Sequence, residues 1–156
     1  VTKFLLSLHV LAAIIAVGPV AVAASMFPKA LRRAHEDAEA AAWPRLLYRV
    51  CRVYAGVGIA VPVFGFATAS NMGVLGSAWL ITAIGLTAVA AGVLALWILP
   101  AQQAALEGLD GADGGGVGVG VAKVAARLGA ATGVFNLLWA TVTVLMIVRP
   151  GSTTGA

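Results

Sequence analysis

Four long runs of apolar residues, separated by two long charged connections and one short link, constrain this chain more than any motif in it. The first covers Phe4 to Phe27 and its only ionisable side chain is His9. At 1.5 Å per residue, such a run spans the ~30 Å hydrocarbon core of a bilayer. It exceeds the ~7–15 residue apolar core of a secretory leader, so it is expected to be a retained span rather than a cleavable signal peptide, although Ala21-Val22-Ala23-Ala24 resembles a small-residue cleavage site. Runs of the same kind follow at about 50–70, 78–99 and 128–148. Composition agrees: 61% of the residues are hydrophobic and 10% charged, where a soluble domain carries about 25% charged residues. The expectation is an all-α, integral membrane four-helix bundle in a single domain, because lipid admits only segments that satisfy their backbone internally.

The connections carry the charge. Lys29 to Arg52 holds six of the ten Lys and Arg residues, and Lys123 and Arg127 belong to the connection at about 100–127. Lys3 and Arg149 lie at the other ends of the spans. Eight basic residues against two is a positive-inside asymmetry that predicts cytoplasmic connections (about 28–49 and 100–127) and both termini outside, in the periplasm. The formal net charge of +4 therefore reads as membrane topology rather than nucleic-acid binding.

Local signals set expected boundaries. Pro28 suits a turn at the membrane surface. Residues 29–42 are rich in helix formers, and Glu36, Asp37 and Glu39 stand at pairing distance from Arg32, Arg33 and His35 on a helix. Trp43-Pro44 predicts a break, since a residue preceding proline is pushed from the α region. Pro19 and Pro62 predict bends, with Gly58 and Gly65 flanking the second. The short link from Asn71 to Ser77 makes spans two and three antiparallel neighbours. Trp43 and Tyr48, and Trp79 and Trp97, are placed as interfacial anchors. Pro100 is expected to close span three. Six glycines between 111 and 120 read as a flexible linker, not a phosphate loop: no Gly-Lys-Ser/Thr follows and the dinucleotide spacing is missing. Arg149-Pro150 ends span four, leaving a polar tail.

Helices in lipid associate through small residues and a few polar contacts. Gly129 and Gly133, Ala88 and Gly92, Ala91 and Ala95, and Ala12 and Ala16 have the small-x-x-x-small spacing that serves either intrachain packing or docking on a larger partner. No Asp or Glu falls within a span, which argues against a proton or cation path. His9 is the one intramembrane ionisable residue. With Met72 or Met146 it could ligate haem iron or copper, or it could simply donate one hydrogen bond to a neighbouring helix. Asn136, Thr141 and Thr143 are expected to bridge helices, His35 to lie on a solvated face, and Cys51, the single cysteine, to fill space at a helix end. Arg32, Arg33, Arg45, Arg49 and Arg52 form a patch suited to anionic lipid head groups or a partner protein.

Two resemblances add expectations. Leu8-His9-Val10-Leu11 with Val17-Gly18, Phe27-Pro28-Lys29 and His35-Glu36-Asp37-Ala38-Glu39-Ala40 resembles small four-helix membrane proteins that include the copper-resistance D family and the haem b-binding membrane protoporphyrinogen oxidases. That resemblance covers about a quarter of the chain and implies His9 as a haem-ligand candidate. The chain departs from the pattern at Ala16, where tryptophan is usual, and in span three, which lacks a lysine. In size, topology and Ala/Gly/Val-rich composition, the whole chain resembles accessory subunits of actinobacterial respiratory supercomplexes, the association-factor type. This implies a non-catalytic subunit without a cofactor of its own, in a bacterial inner membrane, with cytochrome bcc and aa3-type oxidase subunits as partners.

Overall fold

A computed structural model of the protein describes residues 1–111 and 118–152. Its elements are α1 (Thr2–Glu36), a 3-10 turn (Ala38–Ala41), α2 (Ala42–Val57), α3 (Ala60–Met72), α4 (Ala78–Gly92), a π-helical turn (Val93–Ile98), α5 (Leu99–Asp110) and α6 (Gly118–Val148). There is no strand among the described residues. Four stretches are long and apolar enough to cross a membrane: Thr2–Glu36, Ala38–Met72, Ala78–Asp110 and Gly120–Val148. The chain is thus an all-α, multi-pass membrane protein. The glycine-rich linker expected between 111 and 120 falls largely on 112–117, and the end of the polar tail on 153–156, outside the described residues.

Several breaks fall elsewhere than expected. Pro28 makes no turn: α1 runs through Pro19 and Pro28, and Pro28 is buried. The first break comes at Asp37, which is extended, and its carboxylate accepts from the Glu39 N–H at 3.0 Å. This local bond offers the backbone an alternative to helix, and it replaces the pairing expected between Asp37 and the α1 arginines. Trp43-Pro44 lies inside the first turn of α2, where proline's missing N–H costs no helical bond. The interruption of the second span sits at Gly58-Ile59, four residues ahead of Pro62. Proline lacks the N–H that would bond the carbonyl four residues earlier, here Gly58. That carbonyl instead accepts from the Val61 N–H at 3.1 Å.

Pro100 does not close the third span, because helix continues to Asp110. The π-helical turn lies directly before it, with the Leu99 N–H donating to Leu94 O. Such a turn inserts one residue into the helix and re-aims the side chains that follow. α3 ends in a Schellman cap: Gly73 is left-handed (φ 68°), its N–H donates to Ser70 O, and the Val74 N–H donates to Ala69 O.

α1 is the central packing element. It lies along α2, α3 and α6, while α4 packs on α6 and α2 closes on α5. No contact of similar extent joins α3 to α4. The main core gathers Val20, Ala23, Ala24, Phe27 and Leu31 of α1 with Leu47 and Cys51, Ala90, Leu94 and Ile98, and Ala125, Leu128, Ala131 and Phe135. A separate small cluster of Ala69, Trp79 and Leu80 lies toward the other end, with Met146 against it. Arg52 and Met72, or Arg127 and Arg149, stand about 30 Å apart by helix rise, so charged and polar residues bracket a bilayer core at both ends.

Candidate functional site

Within the apolar spans, one polar contact joins α1 to α3. His9, half-buried, donates from Nδ1 to the Val61 carbonyl at 2.8 Å when that nitrogen carries the proton. The ring fits because residue 65 is glycine: a Cβ there would lie 2.9 Å from His9 Cε1 and 3.0 Å from Nδ1. Gly65 is therefore part of the site, although the sequence marked it only as a neighbour of Pro62. The Nδ1–H to carbonyl bond leaves Nε2 with its lone pair, the arrangement common in metal-ligating histidines.

Met146 packs against the Trp79 cluster and Met72 ends α3. Among the described residues, no group of three or more His, Cys, Asp or Glu could hold a metal ion.

Polar contacts between the other helices are few. Asn136 Nδ2 donates to Ser25 Oγ at 3.2 Å, which ties α6 to α1. Thr141 and Thr143 instead donate to carbonyls four residues back in their own helix, Leu137 at 2.8 Å and Trp139 at 3.0 Å, so they bridge nothing. Gln102 of α5 is fully buried: its Nε2 donates to Cys51 Sγ at 3.8 Å and its Oε1 has no partner among the described residues. Cys51 is thus more than a filler at a helix end, since it receives the one contact this amide makes.

The five basic residues expected to meet lipid or a partner divide. Arg45 pairs with Asp110, the one ion pair among the described residues, and so locks the start of α2 to the end of α5. Arg32 and Arg33 are exposed on α1, and Arg49 and Arg52 on α2, beside exposed Trp43, Leu46 and Val53. The pairing expected of Glu36 and Glu39 with these arginines is not formed. Tyr48 donates from its hydroxyl to Gln103 Oε1 at 3.3 Å, a second tie between α2 and α5.

At the opposite end Trp79 is buried rather than facing lipid as an anchor. Arg149 stands over its ring, 5.6 Å from the centroid. Trp97, in contrast, is 52% exposed, as an anchor requires.

The small-residue pairs divide as well. Gly129 and Gly133 are exposed, and a Cβ at Gly133 would meet nothing within 4 Å. Ala88 is exposed and Gly92 has open space beside it. Close intrachain packing is carried by Ala16, the buried member of the Ala12/Ala16 pair, and by Ala23, Ala24, Ala83, Ala90, Ala125 and Ala131, all at most 3% exposed.

Two cavities bear on the site. One, of about 210 Å³, lies between α1, α3 and α4, with α2 and α6 completing its wall, and is lined by Ala16, Ile59, Pro62, Thr87, Ala91 and Trp139 among others. The other, of about 470 Å³, lies at the basic end between α5, α6 and the end of α1. His9 lines neither. Comparison with known proteins gives no relative: no family model, curated protein or solved structure matches this chain.

Proposed function

We propose that this protein is a non-catalytic accessory or assembly subunit of a larger membrane complex, and that the complex is a respiratory electron-transfer supercomplex of cytochrome bcc with an aa3-type oxidase. The observation that carries the reading is the outward face of α6. Gly133 has open space beside it, Gly129 one turn earlier is exposed and meets only the edge of the Pro28 ring of α1, at 4.0 Å from a built Cβ, and small residues are what lets helices approach closely in lipid. The absence of Asp and Glu from the four apolar runs supports it, since ion or proton transfer through a bundle draws on such groups. The respiratory assignment rests on whole-chain resemblance in size, topology and composition. In this reading the protein sits in a bacterial inner membrane with its basic end cytoplasmic and both termini periplasmic, following the charge asymmetry.

Affinity purification in mild detergent tests the reading. Oxidase or cytochrome b subunits should accompany the wild-type chain and be lost from Gly133→Ile, whose own fold has room for the side chain. A free monomer, with respiratory complexes unchanged by deletion of the protein, would contradict it.

A second reading, a haem b- or copper-binding membrane redox protein using His9, is favoured by the Nδ1 bond to Val61 that leaves Nε2 available. An absorption spectrum separates the two. A Soret band that His9→Ala abolishes would put the second reading first.

A further inference from the structure

We propose that the cavity at the basic end is a binding groove for one anionic phospholipid, with the headgroup phosphate held by Arg127 and His35 and one acyl chain lying toward Trp97. This goes beyond the accessory role and does not depend on it. At about 470 Å³ the cavity falls within the roughly 300–1,000 Å³ usual for small-molecule sites. Its walls explain why it stays open. α5 contributes Ala101, Ala104, Ala105 and Gly108, a small-residue face that leaves space against Gly120, Val121 and Val124 of α6. The π-helical turn just before α5 re-aims this face toward α6.

The chemistry of the lining is amphipathic. Trp97, Leu128 and the alanines make an apolar trough that runs about 18 Å along α5, from Trp97 to Leu109. Among the described residues, His35 and Arg127 are its ionisable members and no carboxylate lines it. The nearby Glu107 carboxylate accepts from Gln103 Nε2 at 3.1 Å. An apolar trough with a cation-bearing mouth complements a lipid with a negative head and a hydrocarbon tail. It complements a soluble anion poorly, and a neutral lipid would leave Arg127 without a counter-charge. Arg45 is engaged with Asp110, and Arg32 and Arg33 do not line the groove. The lipid-specific residues are therefore a different set from the dense basic patch around them.

Fluorescence of Trp97 reports occupancy directly. The full-length protein is reconstituted in phosphatidylcholine vesicles containing a small fraction of either phosphatidylglycerol or phosphatidylcholine with brominated chains, and Trp97→Phe defines the signal from that residue. Brominated phosphatidylglycerol should quench Trp97 with about fivefold higher apparent affinity than brominated phosphatidylcholine, the effect of one basic side chain near a membrane surface. Arg127→Gln should abolish the preference, while Arg127→Lys and Arg33→Gln should keep it. Equal quenching by the two lipids would overturn the proposal, as would an equal loss with Arg33→Gln. Absence of Trp97 quenching by either lipid would mean that protein fills the groove, and displacement by inorganic phosphate would mean that a soluble anion does. Either result also overturns it.

Discussion

The two halves of this bundle are built from the same four spans and held together differently. Toward the basic end, α1, α2, α5 and α6 share one continuous core around Phe27, Leu31, Ile98 and Leu128, and Arg45–Asp110 and Tyr48–Gln103 join α2 to α5. Toward the other end, α3 leans on α1 through His9 and Val61, α4 leans on α6, and α3 and α4 leave an apolar crevice between them. Water helps explain the difference. Where α2 and α5 leave the bilayer, around Leu47 and Leu106, apolar burial drives association and polar ties can be added at the surface. Inside it, lipid is as apolar as the side chains, and only close packing or a buried polar contact favours one helix over the solvent. A loosely joined half within the membrane suits a subunit that offers surface to a larger protein.

The contrast is most exposed to a core truncation. Phe27→Ala, at a fully buried position in the joined half, should cost about 3 kcal/mol, at the lower end for such substitutions because lipid rather than water meets the unfolded spans. Phe66→Ala, at a 51% exposed position on α3, should cost less than about 0.5 kcal/mol. Equilibrium unfolding in mixed micelles measures both, and equal costs would remove the distinction. Gly65→Val comes next. Its side chain would enter the space of the His9 ring and should cost about 1–3 kcal/mol, as overpacking does. Hydrogen exchange should rise in α3 while α2 and α5 stay protected; a uniform rise would mean that the two halves unfold as one.

How much of this was legible beforehand follows from the same physics. The four spans could be read because membrane length and lack of charge are properties of composition, which survives without knowledge of packing. The inward faces could not, because a helix that is apolar all round carries no stripe to show which side is buried. Hence the Gly129/Gly133 seam stood out in the sequence yet is exposed, while scattered alanines such as Ala24 and Ala90 do the packing. Proline misled at Pro28 and Pro100, since neighbouring helices and a π-helical turn accommodate the missing N–H that breaks a helix in water. The break at Asp37 turned on a two-residue side-chain bond that competed with a good helix-forming context. Within the candidate site His9 stood out as the lone intramembrane ionisable group. Gly65, Gln102 and the groove of His35 and Arg127 required tertiary placement, because their partners lie tens of residues away.

Smaller effects sharpen the account of the joined half. Gln102→Leu replaces a buried amide whose oxygen has no partner and should leave stability unchanged or raise it by up to about 1 kcal/mol. A loss larger than that would show that the amide makes a contact beyond Cys51. A double-mutant cycle on Arg45→Ala and Asp110→Ala should give a coupling of about 0.2–1 kcal/mol that weakens with salt, as expected for an exposed pair. Zero coupling at low salt would leave the α2–α5 closure to apolar packing alone.

The unequal joining of the two halves is tested most directly by thiol cross-linking in native membranes, in a Cys51→Ala background. A short bis-maleimide should link Tyr48→Cys to Gln103→Cys rapidly and in high yield. It should link Ile59→Cys to Ala91→Cys, on opposite walls of the crevice, slowly and incompletely. Equal rates at the two pairs, or faster linkage across the crevice, would contradict the account.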